Sequence, residues 1–216
     1  MLALLADGMG GHNAGEVASD MTITLFEQYF LQADKQLLTT FEQKQQWLAE
    51  TVKAINTQVY DYSLLHEQCA GMGTTLIAAL IEGEHFTICH IGDSRLYTFT
   101  EHDVVQVTRD HSYVNVLVDH GEISEEEAQL HPRRNVITKA IGTDRKVEPT
   151  FYELVVEPQM YVLLCSDGLS DKCSMEEMQA ILLRQDALAH QARMLVQLAN
   201  DSGGEDNITL VLLYNS

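Results

Sequence analysis

Positive charge is scarce in this sequence. Thirteen lysines and arginines stand against 32 aspartates and glutamates, and the formal net charge is -19. A surface this acidic repels the phosphates of nucleic acids and of anionic membranes. We therefore expect neither as a partner. Such acidity is typical of a well-solvated surface, and it also suits carboxylates that hold cations.

Cysteine is also scarce, and its pattern carries no motif. The four cysteines are Cys69, Cys89, Cys165 and Cys173, and no two of them form C-x-x-C. Cys89 and Cys165 lie inside apolar runs, which indicates buried, reduced thiols. The sequence also has no basic, signal-like front and no apolar run of about 18 residues. We therefore expect a cytoplasmic protein without a membrane span.

The length and composition suit one globular domain. The chain has 216 residues, of which 45% are hydrophobic, so it can build a sizeable core. A short buried strand is predicted over 2–6. Helical spacing then begins at Ala14 and recurs in a second stretch that contains Leu48, Val52 and Ile55.

The middle of the chain changes to a β pattern. Four β-rich runs, at 74–81, 85–91, 95–100 and 104–108, are divided by "EGE", "GDS" and "EHD". Turns this short predict antiparallel hairpins.

The second half returns to helices and ends in a strand. Residues 111–142 are predicted to form short helical pieces, followed by strands at 150–156 and 160–166, two helices and a last strand. Ser124 with Glu127, and Ser174 with Glu177, fit capping boxes that open helices. The order of elements predicts an α+β domain in which helices cover antiparallel sheet.

Five aspartates flank apolar β runs: Asp7, Asp93, Asp110, Asp167 and Asp206. Each could simply cap a turn, as aspartate often does. Strand ends from different parts of a sheet can also converge on one rim, where the carboxylates would repel one another and need a cation to stay ionised. Ligation by oxygen alone favours Mg²⁺ or Mn²⁺. A shared aspartate would give a two-metal centre suited to phosphate chemistry.

At this point the sequence resembles a known family. Its motifs are similar, in order and over essentially the whole chain, to those of the bacterial metal-dependent serine/threonine protein phosphatases of type 2C (PPM). They are "ADGMGGHNAG", "GMGTTL", "IGDSRLY", "RDHSYV", "HPRRNVITKAIG", "LLCSDGLSD" and "EDNIT".

The resemblance implies a fold and a function. The fold is a four-layer αββα sandwich of two antiparallel sheets between helix pairs, as one domain over 1–216 with a helical flap at 111–142. The function is hydrolysis of phosphoserine and phosphothreonine on proteins by a water activated at a two- or three-metal Mn²⁺ or Mg²⁺ centre. A cognate serine/threonine kinase is the expected partner.

The resemblance also implies site residues. Asp7 takes the place of the aspartate that bridges two ions, and the carbonyl of Gly8 is a ligand of the second ion. Asp167 and Asp206 hold the first ion. Asp110 belongs to a third-metal site. Asp93 and Asp171 are further candidates for that third site.

The sequence departs from the family at two places. The family has two strands ahead of "ADGMGG", with a phosphate-binding arginine, so this chain is expected to be a fragment or to have a misplaced start. Residues 2–6 should then lie at a sheet edge or be completed by another chain. Animal members carry a histidine as candidate general acid where this chain has Met9. His12 is the nearest replacement and our catalytic candidate, and an ordinary loop residue is the alternative for it.

Two alternatives stay open. "CHIGDSR", from Cys89 to Arg95, fits the C-x-x-G-x-x-R loop of cysteine-dependent phosphatases. That loop should open a helix, whereas Leu96–Thr100 is predicted as a strand. The second alternative is an inactive pseudophosphatase that binds metal or a partner.

Overall fold

The computed structural model describes residues 1–10 and 13–216 and begins with a strand followed by two long helices. The elements of this first half are β1 (Leu2–Leu5), β2 (Gly8–Met9), α1 (Asn13–Gln32), α2 (Phe41–Leu65), β3 (Gly73–Thr74), β4 (Leu76–Glu82), β5 (His85–Ile91), β6 (Arg95–Phe99) and β7 (Val104–Gln106). Two 3₁₀ turns lie at Lys35–Leu37 and Glu67–Cys69.

The second half opens with two short helices and closes with a strand. Its elements are α3 (Tyr113–Asp119), α4 (Glu125–Leu130), β8 (Thr150–Val155), β9 (Tyr161–Cys165), α5 (Asp167–Ser170), α6 (Met175–Leu182), α7 (Leu188–Asp201) and β10 (Leu210–Tyr214). Both predicted capping boxes are confirmed, since Ser124 and Ser174 each exchange two hydrogen bonds with the glutamate three residues later. No helix in residues 1–10 and 13–216 has the length and apolar character needed to cross a membrane.

The strands form two four-stranded antiparallel sheets. The first has the order β1-β4-β5-β8 and the second β10-β9-β6-β7. The short β2 and β3 pair separately, with Gly8 opposite Thr74. β1 lies at the edge of its sheet, which confirms the prediction of an edge position for this segment.

Three apolar layers hold the sandwich together. The layer between the sheets includes Leu5, Ile77, Ile88, Leu96 and Leu164, all at most 1% exposed. A second layer packs α1 and α2 on the outer face of the first sheet, and a third packs α6 and α7 on the second sheet. Consecutive residues of one strand belong to different layers, as Ile77 and Ala78 do, because successive side chains point to opposite faces of a sheet. The αββα sandwich is confirmed.

One predicted hairpin is wrong. The "EGE" and "EHD" turns join paired strands, but the "GDS" turn does not, since β5 and β6 belong to different sheets. Gly92 has a φ of 102°, in the left-handed region, and a Cβ there would overlap with the side chain of Thr75. The turn therefore carries the chain across the sandwich and brings Asp93 toward the rim.

Candidate metal centre

Asp7 lies between β1 and β2, and its backbone is held on both sides. Its N–H donates to Thr75 Oγ1 at 3.0 Å. Its carbonyl accepts from Thr75 N at 2.9 Å and from Thr74 Oγ1 at 2.9 Å. These three hydrogen bonds fix the backbone position of Asp7, and so its Cα, at the end of the buried strand.

Two glycines allow close backbone approaches beside the aspartates. A Cβ on Gly8 would overlap with the carbonyl of Gly15 in α1, and a Cβ on Gly168 would overlap with the carbonyl of Asn207. The second contact places the turn that carries Asp167 directly against the loop that carries Asp206. Chain segments about 40 residues apart thus meet at one rim because no side chain separates them.

The carboxyl groups of Asp7 and Asp167 are close enough to change each other's pKa. Burial, followed by the nearby carboxylates of Asp167, Asp206 and Asp93, raises the pKa of Asp7 to about 7. Burial, followed by Asp206 and Asp171, raises the pKa of Asp167 as well. Among the described residues the buried Oδ1 atom of Asp167 has no hydrogen-bond partner. Carboxyl groups are therefore crowded together here, which opposes their ionisation.

Asp93 belongs to the same acidic rim. Its pKa rises to about 7 through burial and through the charges of Asp167 and Asp110, against a smaller opposing effect of Arg95. Asp7, Asp93, Asp167 and Asp206 thus lie close enough for their charges to act on one another. Asp171, the weaker candidate, lies near Asp167 and is exposed.

Asp110 differs from the other candidates because it already has a cation. Arg95 Nη2 lies 2.8 Å from its Oδ2, and Arg95 Nε lies 3.0 Å from Oδ2 and 3.1 Å from Oδ1. Gln106 Nε2 adds a bond to Oδ1 at 3.2 Å. Sequence reasoning missed Arg95. The only available signal was a basic residue at the start of a strand, which does not name its partner.

The acidic rim fits a divalent cation by its chemistry. Its donors are carboxylate and backbone oxygens, which hard cations prefer. In the part of the chain that the structure describes, no three carboxylate, imidazole or thiol groups are already arranged around one point as a ligand set. Among the described residues Asp167 Oδ1 has no hydrogen-bond partner, and it is an oxygen that a cation would satisfy.

Two other predicted residues have different outcomes. His12, the catalytic candidate, lies outside the described residues.

Cys89 is fully buried in β5, and burial raises the pKa of its thiol well above the usual range. The chain after it forms β6 and not a helix. The cysteine-dependent reading of "CHIGDSR" is therefore wrong. All four cysteines are free and buried, as predicted.

A cleft of about 700 Å³ opens beside the rim. Asp93, Asp110 and Asp167 line it from the sheets, and Asn115 and Arg134 line it from segment 111–142. The cleft therefore places basic and amide groups opposite the acidic ones, which suits a ligand that carries a phosphate next to a cation.

Comparison with known proteins shows the family of this chain. The family described as "Protein phosphatase 2C" matches residues 1–209. The serine/threonine phosphatase stp of Listeria monocytogenes serotype 4b (strain F2365) is 39% identical over 212 residues, which cover 98% of this chain and 83% of that protein.

Solved structures share the fold over the whole chain. The S. agalactiae serine/threonine phosphatase has a TM-score of 0.94 and 36% identity, covering 100% of this chain and 87% of its own. The catalytic domain of the phosphatase PstP, solved in complex with two manganese ions, has a TM-score of 0.81 and 37% identity, covering 98% and 86%. The chain belongs to the protein phosphatase 2C family, whose members are metal-dependent serine/threonine phosphatases.

Proposed function

We propose that the acidic rim hydrolyses phosphoserine and phosphothreonine esters of proteins with the help of bound Mn²⁺ or Mg²⁺. The observation that carries this proposal is the pair Asp7 and Asp167, two half-buried carboxyls with raised pKa values, one of whose oxygens finds no hydrogen-bond partner among the described residues. Such a pair is costly without a cation and becomes favourable with one.

The aspartates of the rim would hold the cations at two positions. Asp7 would be shared between two ions, with the Gly8 carbonyl as an additional oxygen. Asp167 and Asp206 would complete the first position. A divalent cation held there supplies an activated water and neutralises phosphate oxygens.

A third position would involve Asp110, with Asp93 and Asp171 as further candidates. Because both oxygens of Asp110 already face Arg95, an ion there must compete with a guanidinium. We therefore expect the third position to bind more weakly than the position at Asp7, Asp167 and Asp206.

His12 is the proposed proton donor to the serine or threonine oxygen that leaves. A protonated histidine can give this proton to the leaving oxygen. In His12→Gln, phosphate release should slow, and the fall in rate on the alkaline side of its pH profile should be lost. A profile identical to that of the wild type would remove His12 from the mechanism.

The segment 111–142 is proposed as a flap that helps to bind the phosphoprotein. It contributes Asn115 and Arg134 to the cleft, opposite the carboxylates. The cytoplasm is the proposed location, and a serine/threonine kinase that acts on the same proteins is the proposed partner. Phosphorylation by such a kinase would supply the substrate.

Phosphate release from a phosphothreonine peptide tests the proposal. The wild-type chain should release phosphate with Mn²⁺ and stop when EDTA is added. Asp206→Asn should lower the rate by about a hundredfold, because it removes a charged oxygen that would hold the cation. The control, Asp201→Asn at the exposed end of α7, should match the wild type. Undiminished release in EDTA would overturn metal-dependent hydrolysis, and absent release with Mn²⁺ would indicate a pseudophosphatase.

A further inference from the structure

A buried polar connection begins at Asp7 and leads away from the metal rim. Besides accepting the N–H of Asp7, Thr75 Oγ1 lies 2.7 Å from Ser94 Oγ. Thr75 is 3% exposed and Ser94 is fully buried. The hydroxyl of Thr75 thus joins the backbone of Asp7 to the turn that carries Asp93.

The connection continues through two histidines. The carbonyl of Ser94 accepts from His90 Nε2 at 2.9 Å, which places the imidazole proton on Nε2. His90 is fully buried, and its ring stacks on that of His111 with centroids 4.9 Å apart. His111 Nδ1 accepts the N–H of Gly92 at 3.1 Å, and His111 Nε2 donates to Thr150 Oγ1 at 2.8 Å.

His111 lies at one root of segment 111–142 and is bonded to the other root. Its carbonyl accepts from Thr138 N at 2.7 Å and from Thr138 Oγ1 at 2.9 Å. Its own N–H donates to the carbonyl of Gly92 at 2.8 Å. A second, direct link joins Thr74 to Ile141 through two backbone bonds of 2.9 and 3.0 Å. Both roots are therefore tied to the loops that carry Asp7 and Asp93.

We propose that Thr75 is a positioning residue whose hydroxyl, through Ser94, His90 and His111, couples the backbone of Asp7 to the roots of segment 111–142. None of these four side chains needs to touch the substrate. They couple the metal rim to segment 111–142. A substitution at Thr75 should therefore change hydrogen exchange at the roots of the segment, and a substitution at His111 should change the metal affinity of the rim. The part of this inference that concerns Mn²⁺ affinity rests on the proposed function, and the part that concerns hydrogen exchange does not.

The burial of the network is the reason to expect coupling. A buried hydroxyl or imidazole that loses its partner cannot turn to water, so its neighbours must rearrange. Among the described residues the buried Nδ1 of His90 has no hydrogen-bond partner. A displacement of Thr75 therefore passes along the chain of contacts to His111.

The first experiment measures amide hydrogen exchange of the metal-free protein in Thr75→Val, which keeps the shape and removes the hydroxyl. Exchange at the root amides of Tyr113 and Thr138 should accelerate by about tenfold, as expected for the loss of one buried hydrogen bond. Amides of α7 should keep their wild-type rates. Thr75→Ser, which retains the hydroxyl, should restore slow exchange at the roots.

The second experiment measures the reciprocal effect on Mn²⁺ affinity. His111→Asn removes the stacked ring but keeps an acceptor for Gly92, and it should weaken Mn²⁺ binding by about fivefold. The control is His120→Asn, at an exposed histidine of the same segment. In the double variant Thr75→Val with His111→Asn, the loss should be smaller than the product of the two single losses, because both break the same connection.

Two results would overturn the inference. One is wild-type exchange at both roots in Thr75→Val. The other is a double variant whose loss of Mn²⁺ affinity equals the product of the single losses. If Thr75→Val does not fold, Ser94→Ala removes the next hydroxyl and is read in the same way. The exchange experiment needs neither metal nor substrate, so it stands apart from the phosphate-release test of the proposed function.

Discussion

Arg95 and Asp110 form a two-pronged ion pair at the mouth of the cleft, with Nη2 2.8 Å from Oδ2 and Nε 3.1 Å from Oδ1. The side chains of the two residues are 25% and 11% exposed. This ion pair distinguishes Asp110 from the other aspartates of the rim. Asp110 is paired with a guanidinium, whereas burial and neighbouring carboxylates raise the pKa values of Asp7, Asp93 and Asp167.

Replacing Arg95 should therefore destabilise the metal-free protein. In Arg95→Gln the carboxylate of Asp110 stays largely buried without its charged partner, and the free energy of unfolding should fall by on the order of 2–3 kcal/mol. Urea denaturation in EDTA measures this loss. Adding Asp110→Asn to the same chain should recover most of it, because the unpaired charge is then gone.

The matched control is Arg109→Gln. Arg109 pairs with Asp119 at 2.7 Å, but the side chains are 48% and 63% exposed. Solvent screens such a pair, so the loss should stay below about 1 kcal/mol. Equal losses in the two variants would contradict the distinction between a buried and an exposed pair.

The stability of the metal-free protein should depend on pH in an unusual direction. The folded-state pKa values of Asp7 and Asp93 are about 7, above the ordinary aspartate value near 3.9. Between these values the folded state holds protons that the unfolded state has released. The contribution of these groups is therefore fully present below about pH 4 and is lost as pH rises to about 7.

Asp7→Asn isolates this effect, because asparagine carries no titrating proton. In EDTA, the free energy of unfolding of this variant relative to the wild type should increase from pH 4 to pH 7 by on the order of 1 kcal/mol or more. Saturating Mn²⁺ should remove the decline of the wild type, since cations bind the ionised carboxylates. A difference that stays flat across this range would show that Asp7 titrates normally.

Cys89 should be dispensable for chemistry. In Cys89→Ser the rate of phosphate release per folded molecule should match the wild type, because the thiol is fully buried in β5. Stability should fall by about 1–3 kcal/mol, since a hydroxyl is buried in an apolar layer. A thermal melt and a phosphate-release assay on the same sample separate the two effects. A folded variant that lost several orders of magnitude in rate would restore the cysteine mechanism.

The sequence predicted most of the fold because its signals are local. Alternating apolar residues marked the strands, and Ser124 and Ser174 marked helix starts through bonds that span three residues. The predicted hairpin at Gly92 was wrong because a three-residue turn fits a hairpin and a crossing between sheets equally well. Only the packing of Thr75 against Gly92 decides between them.

The same reasoning explains what was predicted of the site. Aspartates at strand ends and the motifs around them predicted a shared rim, and in the structure the charges of Asp7, Asp93 and Asp167 act on one another. The bond between Arg95 and Asp110, and the stack of His90 on His111, join residues 15 and 21 positions apart through tertiary packing. No local pattern encodes such partners, so the internal cation of the cleft and the buried network had to be found in the structure.

The central claim is that Asp7, Asp167 and Asp206 hold a divalent cation together. Calorimetric titration of Mn²⁺ into the wild type, Asp167→Asn and the exposed control Asp186→Asn tests it most directly. We predict that Asp167→Asn weakens the tightest binding step by about tenfold or more, since even the outer partners of a metal ligand contribute that much. Asp186→Asn should bind like the wild type. Wild-type Mn²⁺ affinity in a folded Asp167→Asn variant would contradict the assignment.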